Sequence, residues 1–330
     1  MFNKNNQIVH ILNKICDTFK LGQLIDYKIS TFHNHQIYEV ITNSNKYYII
    51  EYTKKDISNQ NKINYIKQQI SIMKKLSTNG VPIILPLNFN DKNIIKYRQK
   101  YYLVYAYQEY TIKDFASLNT KTIKKLAHTL AIIHKLSIKS SLSNNYEELT
   151  INLPKLLKKC QKIDSTLYNN FYNNYFLLED LIKKVNENLK YLNNTLYINY
   201  NNYYLDNILW QKDYMYLANF ESITLSNPLV SLADCAFYYS QNNNQINEEF
   251  YTTFIKSYLK KYGPLKNDYK TALYVAPINA LKKLNNLLLN TTKTDKENIL
   301  LINNIINILS LYYNNIERFN QLSILAVKKH

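Results

Sequence analysis

The sequence predicts an α+β chain in two parts, a small β-rich N-terminal lobe over residues 1–108 and a larger helical C-terminal lobe over residues 109–330. Three observations lead there. Short β-rich runs crowd the first hundred residues, apolar residues recur at helical spacing through most of the remainder, and one β-rich stretch interrupts the helical part at 196–223.

The elements follow in order. Ile8, Ile11, Leu12, Ile15 and Phe19 lie on one helical face and predict a short amphipathic opening helix. YKISTF, QIYEVIT and KYYIIEYT then read as three strands separated by the polar turns FHNHQ and NSNK, the pattern of an antiparallel meander. Ile63, Ile66, Ile70, Met73 and Leu76 mark a helix that Asn79, Gly80 and Pro82 stop. PIILPLNFN and KYYLVYAYQ supply two more strands, giving a five-stranded sheet with one main helix. Beyond Ile112, apolar periodicity predicts helices over 121–137, 176–193, 246–262, 278–290 and 298–315.

Composition excludes several classes. The formal charge is +17, which raises nucleic acid or an anionic surface as partners. The basic residues are scattered lysines, with arginine only at Arg98 and Arg318, whereas groove readers favour clustered arginine, so nucleic acid is not the expected partner. Cys16, Cys160 and Cys235 are too few and too distant for a disulfide framework or a metal knuckle. The opening residues lack a signal peptide's apolar core and no run approaches the ~20 apolar residues of a membrane span, so a cytoplasmic location is expected. His33 and His35 sit at strand spacing without carboxylate or thiol companions and read as part of a turn.

Three segments carry the chemistry. LAHTLAIIHKL (126–136) is a helix with His134 near its end; YNNYYLDNILW (200–210) and ANFESITLSNPLVSLAD (218–234) follow it. Together they resemble the aminoglycoside phosphotransferase and choline kinase-like family, also seen in spore-coat kinase-like proteins. The first matches its Leu-Ala-x-x-Leu-Ala-x-Ile-His-x-Leu helix. The second aligns without gaps to the catalytic loop His-Gly/Asn-Asp-x-x-x-x-Asn-Ile/Val-Leu-Trp, keeping Asn207, Ile208, Leu209 and Trp210. The third is similar to the metal-binding segment, with Phe220, Glu221, Pro228, Leu229, Leu232 and Ala233 in register. The resemblance implies a protein-kinase-like two-lobed fold and ATP-dependent phosphoryl transfer to a small alcohol, with His134 structural.

The departures fall on the reacting groups. Phosphoryl transfer needs a carboxylate to accept the hydroxyl proton, carboxylates to hold Mg²⁺ and a cation on the phosphates. The resemblance places the catalytic Asp at Asn202 and the metal-binding Asp at Asn219, leaving Asn207, Asn219 and Glu221 as the metal set. It places the phosphate-clamping Lys at Glu51 and that lysine's helix partner at Gln69. No glycine occurs between Gly22 and Gly80, so the hairpin that covers the phosphates lacks small residues. The expectation is a pseudokinase acting as a binding or scaffolding module, with a protein or small molecule at the interlobe cleft and no cofactor. Two alternatives stay open. One is an active O-phosphotransferase for choline, ethanolamine or aminoglycosides using Mg-ATP, in which Glu221, Asp234 or another residue supplies the carboxylates. The other is a basic RNA- or membrane-associated protein.

Overall fold

The computed structural model describes residues 2–32, 35–52, 60–138, 147–192, 196–200, 203–218, 223–242, 245–264 and 269–328. The chain forms two compact units, Met1–Ile112 with Asp206–Glu221, and Lys113–Leu205 with Ser222–His330.

The first unit opens with helix α1 (Phe2–Phe19), followed by strands β1 (Leu24–Phe32), β2 (His35–Thr42) and β3 (Lys46–Tyr52), helix α2 (Gln60–Thr78), and strands β4 (Ile95–Tyr97) and β5 (Lys100–Ala106). The five strands form one antiparallel sheet in the order β1-β2-β3-β5-β4. Side chains of a strand alternate between faces, so the sheet offers two distinct surfaces. On one, Tyr38, Val40, Ile49, Tyr102 and Val104 pack against Ile11, Leu12, Ile15, Cys16 and Phe19 of α1 to form a closed core. Gly22 enters β1 with φ of 95°, and a side chain there would collide with Asn43 and Ser44 of the β2–β3 turn. That close approach fixes glycine at the position.

One expected strand is absent. Residues 82–90 make an isolated parallel bridge from Ile83 to Leu217, and Leu87 N donates to Val104 O at 2.7 Å. Pro82 and Pro86 lack the N–H groups that a ladder requires, so the edge strand forms later, at Ile95–Tyr97. A short strand β6 (Thr111–Ile112) pairs with β8 (Ile208–Gln211), which forms a hairpin with β9 (Tyr214–Leu217). This hairpin belongs to the first unit, although the sequence reading assigns it to the second. The Ile83–Leu217 bridge and the β6 pairing hold it there.

The second unit is helical: α3 (Thr120–Lys135), α4 (Leu153–Ile163), α5 (Ser165–Asn173), α6 (Tyr175–Leu192), α7 (Pro228–Ser240), α8 (Glu248–Tyr262), α9 (Tyr269–Val275), α10 (Ile278–Asn290) and α11 (Lys296–Lys328). Strands β7 (Tyr197–Tyr200) and β10 (Ile223–Ser226) pair antiparallel within it. The abundant asparagine serves the helix starts, where side chains of Asn119, Asn152, Asn227 and Asn247 accept from first-turn backbone N–H groups. α8 adds Glu248 and Glu249 at its positive end and Lys260 and Lys261 at its negative end. Among the described residues no helix is long and apolar enough to cross a membrane. The cysteines are buried thiols.

Candidate functional site

The sheet face opposite α1 forms one wall of a cleft of about 760 Å³, within the size range of small-molecule sites. The cleft lies wholly within the first unit. β3 contributes Tyr48, Ile50 and Tyr52, β2 contributes His35 and Ile37, and β1 contributes Ser30 and Thr31. Met73 of α2, Ile84, residues 105–112 at the end of β5 and beyond it, Leu209 of the hairpin and Ala218 just after it complete the described lining.

Its surface is aromatic. The Tyr48 and Tyr107 rings lie 5.1 Å apart, His35 and Tyr52 4.4 Å, and Tyr110 and Tyr216 5.6 Å. Tyr110 donates to Gln108 Oε1 at 2.6 Å. Burial, then the neighbouring Tyr107 and Glu39, pushes the Tyr48 phenol up to about 12. The Tyr48 hydroxyl therefore stays a protonated donor. Among the described lining residues there is no Lys or Arg, and Glu109 brings a carboxylate. Such a surface suits a flat, uncharged ring and offers little to a polyphosphate.

Glu51 is not part of this surface. It sits one residue out of phase with Tyr48, Ile50 and Tyr52, on the α1 side of the sheet, and is 1% exposed. Its carboxylate accepts from Tyr38 Oη at 2.8 Å and Tyr102 Oη at 3.2 Å, and pairs with Lys100. The expectation that Glu51 repels a triphosphate is corrected accordingly: β3 presents Ile50 and Tyr52 to the cleft on either side of it. Gln69 is fully buried on α2, one turn before the cleft-lining Met73. Asn207 is buried where the hairpin begins, and its carbonyl accepts from Ala218 N at 3.0 Å, tying the hairpin's two ends together. Asn202, Asn219 and Glu221 lie outside the described residues. The cleft-facing tyrosines and the 105–112 segment escaped the sequence reading, because β3 is apolar on both faces and no alternation of polarity marks the one that lines the cleft.

In the second unit, the residues after Asn202 are firmly held. Tyr203 donates to Leu126 O at 2.9 Å, Tyr239 donates to Tyr203 O at 2.8 Å, and Tyr204 donates to Asp234 Oδ2 at 2.8 Å. Burial raises the Asp234 carboxyl to about 7, against the opposing effect of the Tyr204 hydrogen bond. His134 is fully buried at the end of α3, its ring nitrogens 2.8 Å from Tyr258 Oη and 2.8 Å from Asn199 Oδ1. Burial holds it down to about 4, so the imidazole is neutral. Asn199 also reaches Ser226 and Ser231, joining α3, β7, β10 and α7 in one polar network. Among the described residues no group of three or more His, Cys, Asp or Glu could hold a metal ion.

No protein-family model and no curated protein sequence matches the chain. Solved structures do. Spectinomycin phosphotransferase in complex with ADP and spectinomycin is similar over 90% of this chain and 97% of its own, with 15% identity and a TM-score of 0.62. The chain has the protein-kinase-like fold. A choline kinase from Cryptosporidium parvum covers 94% of this kinase-like chain and 96% of its own at 14% identity, TM-score 0.55. A microcompartment-associated aminopropanol kinase covers 96% and 98% at 9% identity, TM-score 0.58.

Proposed function

We propose that this kinase-like chain is a pseudokinase: a binding module that takes a planar aromatic ligand, of the nucleoside kind, in the cleft of its first unit without magnesium. One observation carries the reading. β3 turns Tyr48, Ile50 and Tyr52 to the cleft, so the strand that would carry a phosphate-clamping cation offers rings and an aliphatic side chain instead. Asn202 and Asn219 support it from the sequence, since neutral amides neither accept a substrate proton nor hold Mg²⁺ as a carboxylate does. Spectinomycin phosphotransferase, with the same fold, is seen with ADP. Calorimetric titration with adenosine, ADP and ATP, each with and without magnesium, tests the proposal. Adenosine should bind as tightly as ATP, and magnesium should change neither. Magnesium-dependent tightening of ATP by tenfold or more would sink it.

A second reading, an active O-phosphotransferase, is favoured by Asp234. A carboxyl raised to about 7 beside a tyrosine suits proton transfer near neutral pH. Transfer of labelled phosphate from ATP to amino-alcohols, abolished by Asp234→Asn, would promote it.

A further inference from the structure

A second concavity in the first unit shares no residue with the cleft. It has a volume of about 530 Å³ and lies between α2 and the turn before β4. Lys67, Ser71 and Lys74 reach it from α2, spaced to share one helical stripe, and Lys92 and Asp91 reach it from the turn. Ile70 and Ile94 give it an apolar component.

The turn is rigidly built. Asn90 and Asp91 both have left-handed backbones, φ 49° and 58°, while Phe89 and Lys92 exchange two backbone hydrogen bonds of 3.0 Å. That is a two-residue loop of the primed kind, which presents its flanking side chains in a fixed direction. Asn93 fastens the next step by donating from Nδ2 to Leu87 O at 2.9 Å and Pro86 O at 3.3 Å. Among the described residues, three lysines thus line one concavity with a single carboxylate, so positive charge prevails there.

We propose that this groove binds a phosphate monoester, with the lysines and the Ser71 hydroxyl on the phosphate and Ile70 and Ile94 against the carbon part of the ester. A phosphate monoester carries roughly −1.5 to −2 at neutral pH and three acceptor oxygens, which matches both the charge and the donors. A carboxylate-rich strand would spread its charge over a longer track than this concavity offers. Two sources supply the group: a free small-molecule ester, or a phosphorylated side chain on another protein.

The test is titration of the full chain at low salt with glycerol 2-phosphate in one arm and a phosphoserine peptide in the other. Saturable one-to-one binding is expected in at least one arm, weakened by about tenfold in each of Lys67→Glu, Lys74→Glu and Lys92→Glu. Asp91→Asn should tighten it by about threefold. Lys96→Glu, the same charge change at an exposed lysine outside the groove, should leave it unaltered. Comparable affinity in both arms assigns the free ester group as sufficient, and binding of the peptide alone assigns the phosphoprotein source. Absence of saturable binding in both arms, or equal weakening by Lys96→Glu, overturns the proposal. The substituted lysines are exposed, so unfolding midpoints should match the native chain, and Lys74→Gln should give a smaller loss of binding than Lys74→Glu.

Discussion

Placing at position 51 the lysine that the sequence resemblance expects there should break the first unit instead of creating a phosphate site. Glu51 is 1% exposed and accepts from Tyr38 at 2.8 Å and Tyr102 at 3.2 Å while pairing with Lys100. Glu51→Lys removes every one of those acceptors, and hydrogen bonds to a charged group are worth about 1.5–3 kcal/mol each. It also sets two ammonium groups near each other, where repulsion at ~4 Å and an effective dielectric of ~20 is about 4 kcal/mol. Lys100 can swing outward, since its side chain is 38% exposed, which relieves part of that repulsion. A loss of roughly 4–6 kcal/mol remains, a large share of a domain's usual ~5–15 kcal/mol. Glu51→Gln, which keeps shape and one acceptor, should lose about 2 kcal/mol. Urea unfolding followed by the fluorescence of Trp210 reads this directly, because it is the only tryptophan and lies in the first unit. Exchanging both charges, Glu51→Lys with Lys100→Glu, should recover part of the loss. A Glu51→Lys protein of native stability that had gained magnesium-dependent ATP binding would refute the reasoning, since it would put the residue in the cleft.

The pH dependence of stability should contain two opposing contributions. His134 titrates near 4 when folded against 6.5 in the free chain, so its contribution is lost as pH falls from about 6.5 to about 4, at most ~3 kcal/mol. Asp234 titrates near 7 when folded against 3.8 unfolded, so stability is lost as pH rises from about 4 to about 7, at most ~4 kcal/mol. Asp234→Asn should therefore expose a steeper acid loss and stabilise the chain at pH 8; a melting profile parallel to the native one would contradict the Asp234 assignment. Asn202→Asp and Asn219→Asp, singly, should yield no phosphate transfer to choline, ethanolamine or aminoglycosides, because groups that act as a unit fail together; robust turnover by the native chain in a labelled-ATP assay would end the pseudokinase reading. Ile15→Ala, in the α1 core, should cost about 2–5 kcal/mol in the same urea assay, and a loss below ~1 kcal/mol would mean that α1 does not seal the sheet.

The sequence by itself determined the order of elements wherever one face met water. The first two meander strands, α2 and the amphipathic α3, α6, α8 and α10 could be read because polar and apolar residues alternate at the period of the element. It also carried the three family-like segments, with asparagine at Asn202 and Asn219 where the resemblance expects aspartate. It was blind where both sides of an element are covered. α7 is buried nearly all round, so PLVSLADCAFYYS has no periodicity to betray a helix. KYYIIEY is apolar on both sides because α1 lies on one face of the sheet and the cleft on the other. A shift of one residue in such a strand exchanges every side chain between faces without altering the pattern, and only the register of β2, β3 and β5 decided that Glu51 points to α1 while Tyr48, Ile50 and Tyr52 line the cleft. The groove of Lys67, Lys74 and Lys92 was equally invisible, because lysines scattered along a basic chain acquire a common target only when a two-residue turn folds Lys92 back against α2.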